Sequence, residues 1–160
     1  MHMDRLSKEK IREIAQTTFE ITCYMFPLEQ WELEEAANAE CDHSGVRAMV
    51  GFGGAAEGGM IISPTEELLT AIAANMLGIE SPTEEEEEGA LCEIANIICG
   101  NTVPQFASND KICHIHPPQL IEEEEDIDQN FDDMSKQSVQ VFLDEGVADI
   151  TFYYLIEEDE

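Results

Sequence analysis

Apolar residues recur at helical spacing in three stretches, and they alternate with polar ones in the segments between. Ile11, Ile14, Ala15, Thr18, Phe19, Thr22, Met25 and Phe26 form the first stripe, with Ser7 placed to cap it. This predicts an amphipathic helix from about Lys8 to Phe26, stopped by Pro27. Trp31, Leu33 and Ala36 hint at a short strand diluted by acidic residues, and residues 38–45 read as a loop. Val46 to Phe52 reads as a strand and Met60 to Ile62 as a second, with Gly53, Gly54, Gly58 and Gly59 forming the turn of a hairpin. Leu68, Leu69, Ile72, Ala73, Met76 and Leu77 mark a second helix, opened by Ser63-Pro-Thr-Glu66 as a capping box and closed by Gly78. Ile112 to His116 alternates before Pro117-Pro118, with Ser108-Asn109-Asp110 as the preceding turn. Val139, Val141 and Leu143 lead through Asp144-Glu145-Gly146 into a last strand, Val147 to Ile156. Helix, strands, two helices, strands is the order of an α+β domain, with helices packed on a mainly antiparallel sheet.

The third helix organises the rest. Ser81 is placed to cap it, Pro82 suits its first position, and Glu84 completes a second Ser-Pro-Thr-Glu box. With about 100° per residue, Leu91, Cys92, Ile94, Ala95, Ile98, Cys99, Thr102 and Val103 cover one broad arc. Glu93, Asn96 and Gly100 fall together on the opposite side, and side chains three apart are surface neighbours. A carboxylate and an amide beside a bare notch make a surface that can enter another protein's cleft. Alone, Glu-x-x-Asn is a two-letter match in a Glu-rich chain, more often a solvated helix face. It recurs at Glu35-Ala-Ala-Asn38. Pro104 removes the hydrogen bond to the Gly100 carbonyl and should kink or end the helix nearby.

A chain of 160 residues is the size of one domain, residues 1–160, with an acidic connection at about 122–133 and an acidic tail at 157–160. Seven Lys and Arg face 36 Asp and Glu, a formal net charge of −29. That balance argues against binding nucleic acid and against anionic membrane surfaces. No stretch is long and apolar enough to predict a membrane span. The five cysteines are odd in number and irregularly spaced, which is no disulfide framework and suits a reduced, cytoplasmic setting. Cys41-Asp42-His43 cannot close a metal coordination sphere by itself, and the pair His114 and His116 lacks a third ligand in the sequence. Gly51-x-Gly53-x-x-Ala56 superficially fits a dinucleotide fingerprint, but a strand follows where that motif needs a helix.

Four features in order resemble the CheX-type chemotaxis phosphatases of the CheC/CheX family. They are the Gly-rich hairpin Met49–Ile62, the helix stop Asn75-Met-Leu-Gly78, the segment Glu93-Ile-Ala-Asn96-Ile-Ile-Cys-Gly100-Asn101, and the strand end Ile115-His-Pro-Pro118. The resemblance covers roughly Val46 to Leu120. It departs at Gly89, where the related pattern often has Ser or Asp, and at Pro104 and the acidic runs. A single convincing copy of the helix favours CheX over CheC.

The resemblance implies dephosphorylation of an aspartyl-phosphate response regulator of the CheY type, in bacterial chemotaxis and two-component signalling. Asn96 would orient the attacking water and Glu93 would pair with the regulator's Lys, with Ile97 and Gly100 joining them in contact with the partner. Mg²⁺ would be supplied by the regulator, with no cofactor of the chain's own. It further implies a homodimer joined through sheet edge strands. The alternative is a non-catalytic interaction module on the same fold.

Overall fold

The computed structural model describes residues 6–28, 44–107, 111–121 and 131–156. Among these residues three α-helices, α1 (Lys8–Cys23), α2 (Glu66–Leu77) and α3 (Glu84–Thr102), pack on one face of an antiparallel sheet. Its strands are β1 (Arg47–Gly54), β2 (Ala56–Pro64), β3 (Cys113–Ile115), β4 (Gln119–Ile121), β5 (Ser135–Leu143) and β6 (Gly146–Ile156). The order is β3-β1-β2-β6-β5, and β4 also pairs with β1. β1 therefore shares one edge between two short strands, β3 against Phe52–Gly54 and β4 against Arg47–Met49.

Alternation puts Ala48, Val50 and Phe52 of β1 and Ile150, Phe152 and Tyr154 of β6 into the core beneath the helices. Phe52 stacks on Phe106 at 5.6 Å between ring centroids, and Phe106 meets Tyr154 at 5.2 Å. Each such buried ring removes a large apolar area from water, so this aromatic seam is a main anchor of the layer. The opposite face carries a smaller cluster of Ile61, Ile121 and Tyr153, with Phe131 stacked on Tyr153.

Several expectations are corrected. α1 stops at Cys23, three residues short of Phe26, because Tyr24 turns left-handed (φ 58°), its N–H donating to the Glu20 carbonyl and that of Met25 to the Phe19 carbonyl. Pro27 forms an isolated bridge to Leu143. The first hairpin turns tightly at Gly54–Ala55, so Gly58 and Gly59 lie within β2 and not in its turn. Gly58 is there for close approach, since a Cβ would run into the backbone of Tyr153 and Tyr154. Neither Ser63 nor Ser81 caps its helix: Thr65 and Thr83 hold the cap positions, and Ser63-Pro64 belongs to β2. β4 was not anticipated. As expected, Ser7 caps α1, Gly78 ends α2 in a left-handed turn, and Pro104 converts the end of α3 into a 3₁₀ turn, Val103–Phe106. The strand suggested by Trp31 and Leu33, Glu35 and Asn38, Cys41-Asp42-His43, Ser108–Asp110, most of the acidic connection and the acidic tail lie outside the described residues.

Candidate functional site

The start of α3 stands in solvent and is held by its own cap. The Thr83 hydroxyl accepts from Glu86 N at 3.1 Å, and the Glu86 carboxylate accepts from Thr83 N at 2.9 Å. Glu84 to Glu87 sit where the unpaired N–H groups make the helix end positive. One turn in, the Thr70 hydroxyl of α2 donates to Glu87 at 2.5 Å, tying the two helices together.

Beyond that tie, α3 divides as its periodicity predicts. Leu91, Ile94, Ala95, Ile98, Cys99, Thr102 and Val103 are buried, while Cys92 is only half-buried. On the other arc Glu93 is exposed, and Asn96, Ile97 and Gly100 are half-buried. Asn96 is thus seated lower than Glu93, one turn along the same face. A Cβ built on Gly100 would meet only Ile115 Cδ1, at 3.6 Å, which is ordinary contact. Packing would admit a methyl there, so the neighbouring atoms do not force the notch.

The chemistry available on this helix is polar positioning. The Cys99 thiol is pushed well above its ordinary value of 9.0, first by burial and then by Cys113. Cys92 is raised by burial and then by Glu88. Both stay protonated near neutrality and are poor nucleophiles. His114 and His116 share a face, as expected, with ring centroids 5.6 Å apart in an edge-on arrangement over Gly51 and Gly53. Among the described residues no group of three His, Cys, Asp or Glu side chains is placed to hold a metal ion.

One neighbouring feature escaped the sequence reading. A groove of about 360 Å³ separates α1 from α3, lined by Glu13, Ile14, Thr17, Ile21, Ile97 and Asn101 among others. Ile21 lies two turns beyond Ile14 at the edge of the α1 stripe and is 72% exposed. An isoleucine seven residues after Ile14, on the edge of the apolar stripe, was the available signal.

The sequence profile described as chemotaxis phosphatase CheX matches residues 46–142, more than half of the chain. The chain belongs to the CheX family. The match spans the hairpin, the Glu93–Asn96 helix and β5, so it includes all four features that carried the resemblance. No curated protein sequence matches significantly. Among solved structures, the CheX–CheY–BeF3–Mg complex from Borrelia burgdorferi provides a chain with TM-score 0.64 and 19% identity, covering 93% of this chain and 98% of that one. The CheX chemotaxis protein from Vibrio vulnificus gives TM-score 0.68 at 18% identity, over 96% and 100% of the two chains. A CheC-like superfamily protein from Shewanella sp. PV-4 gives 0.67 at 17%, over 97% and 99%. At such identities these likenesses establish a shared CheX/CheC-like fold. Among the described residues no helix is long and apolar enough to cross a membrane.

Proposed function

We propose that this member of the CheX family hydrolyses the aspartyl phosphate of a CheY-type response regulator, with Glu93 and Asn96 as the inserted pair. The observation that carries the reading is their placement one turn apart on the accessible arc of a rigid helix, beside the unfilled notch at Gly100. Family membership and the CheY-bound relative from Borrelia burgdorferi support the choice of partner.

In this reading the Asn96 amide, with one acceptor and two donors, holds a water in line with the Asp–P bond. The water oxygen bonds to phosphorus as the bond to the aspartyl oxygen breaks. The regulator regains its carboxylate, and the water's proton leaves with inorganic phosphate. Mg²⁺ and a Lys belong to the regulator, and Glu93 pairs with that Lys to fix the depth of insertion. Phosphoryl transfer demands positioning and charge stabilisation more than a strong base, so an amide and a carboxylate suffice on this side.

The test is phosphate release from a phosphorylated CheY-type receiver. Asn96→Ala should lower kcat on the order of a hundredfold while binding persists. Glu93→Gln should weaken association and slow turnover. An Asn96→Ala chain as active as the unmodified one would replace this reading with a non-catalytic binding module.

Among the described residues the strands of the sheet run from β5, bridged at Leu143 by Pro27, to β3 and β4 on the other side. Homodimerisation through such an edge is part of the proposal and would leave α3 accessible. Each chain carries a formal charge of −29, so the dimer should tighten with salt. Light scattering that shows only monomer at low and high salt would remove it.

A further inference from the structure

We propose that the groove between α1 and α3 is a second anchor point for the same regulator, receiving an apolar side chain that borders its phosphorylation site. The inference rests on the reading of Glu93 and Asn96 given above and adds the surface that would set affinity.

Size supplies the first argument. A stable interface covers about 800 Å² on each partner, which for a round patch means a radius of roughly 16 Å. Beyond its acidic first turns and the bare Gly89, the accessible arc of α3 offers Glu93, Asn96, Ile97 and Asn101, with Gly100 contributing no side chain, a strip one helix wide. A body seated on Asn96 must therefore cover neighbouring elements, and packed helices lie only about 8–10 Å apart.

Direction supplies the second. Around the helix, Asn96 leans toward the side where Gly100 meets Ile115 of β3, Glu93 lies in the middle, and Ile97 and Asn101 lean the other way, into the groove. Toward its first turns α3 is closed against α2 by the Thr70–Glu87 hydrogen bond. The α1 flank stays open, and it is apolar where it matters. Ile14, Ile21 and Ile97 line it, and Glu13, Thr17 and Asn101 rim it. Tyr24, 75% exposed, follows one turn beyond Ile21. Tyr24 and Phe26 are exposed as well, but of the three only Ile21 lines the groove.

Rigidity supplies the third. Asn75 Nδ2 of α2 donates to the Cys23 carbonyl at 2.8 Å, and Gln137 Nε2 of β5 donates to the Leu6 carbonyl at 3.3 Å. Both ends of α1 are thus pinned, and a preformed groove loses little entropy on binding. The partner chemistry follows: an aliphatic or aromatic side chain for the isoleucines, with a basic residue beside it for Glu13.

The probe is a CheY-type receiver domain loaded with Mg²⁺ and beryllofluoride, titrated against the full chain, alongside steady-state phosphate release. Ile21→Glu should weaken binding roughly tenfold or more, as loss of a buried apolar anchor does. It should raise KM with kcat within about twofold, because uniform binding and not the chemical step is lost. Ile21→Ala should do the same to a smaller degree. Leu155→Glu adds the same charge at a half-exposed position on β6 and should change neither quantity. Because Ile21 is solvent-facing, the thermal midpoint of the variants should match the parent. If Asn96→Ala abolishes turnover but Ile21→Glu binds like the parent, the groove proposal fails and the phosphatase reading stands. If the unmodified chain neither binds nor dephosphorylates the receiver, both fall.

Discussion

Ser63-Pro64-Thr65-Glu66 precedes α2, and Ser81-Pro82-Thr83-Glu84 precedes α3. In both, the helix begins at the Glu and the Thr holds the cap position. There the likeness ends. The Thr83 hydroxyl turns into its own helix and Glu86 returns the bond. The Thr65 hydroxyl turns away, accepting from Val147 N of β6 at 3.2 Å, while Thr65 N donates to Val147 O at 2.9 Å. Two causes separate them. The third residue of α2 is Leu68, which is buried and has no carboxylate to return. Ser63 and Pro64 are already in register with Asp149 and Ala148 of β6, which brings Thr65 against that strand. One start is a local cap in water, and the other is a seam sewn to the sheet. The same letters serve two ends because the neighbours, not the motif, decide where a hydroxyl goes.

The contrast predicts a descending series of effects. Gly146→Ala should be the most damaging, since Gly146 has φ +149° and a Cβ would collide with the Thr65 hydroxyl and lie 2.9 Å from Leu68 Cβ. A loss on the order of 3 kcal/mol in urea unfolding is expected, in the range of overpacked or strained sites. A loss under about 1 kcal/mol would mean the seam can yield, and the distinction between the two starts would blur. Thr65→Val keeps the shape and strands the buried Val147 N–H, costing about 1–3 kcal/mol. Thr83→Ala loses only a solvent-exposed cap, about 1 kcal/mol, and phosphate release should stay within about twofold. If Thr83→Ala proved more costly than Thr65→Val, the ranking of seam over cap would be reversed. Gly89→Ala, five residues into α3 with nothing within 4 Å of the added Cβ, should stabilise by about 0.5–1 kcal/mol. It should also leave phosphate release unchanged, and a drop would show that the bare position at 89 contacts the partner.

Periodicity carried most of what was legible. The buried arc of α3 follows from spacing alone, because a rigid 3.6-residue repeat leaves few other choices. The hairpin β5–β6 was readable from alternation around Asp144-Glu145. β4 was not, because residues 119–121 are a strand only through their pairing with β1. The end of α1 was misread because Pro27 is the conspicuous stop, whereas the helix ends at a left-handed tyrosine that no propensity favours. Glu93 and Asn96 could be found because their relation is local, three residues on one helix. The groove could not, because Ile21 and Ile97 are brought side by side only by the packing of two helices distant in sequence.

The pairing of β2 with β6 has a consequence for how the molecule is made. Ala56 pairs with Ile156 and Pro64 with Ala148, a separation of roughly ninety residues and hence a long loop to close. A ribosome adding about 5–20 residues per second needs roughly 5–20 seconds to cover that interval. Throughout it the first hairpin waits with the bare backbone of Met60-Ile61-Ile62 as an open edge. Stray strands from other nascent chains can pair there before β6 emerges. The acidic residues on either side, Glu57 before the edge and Glu66 and Glu67 after it, are placed to repel such strands until the sheet closes.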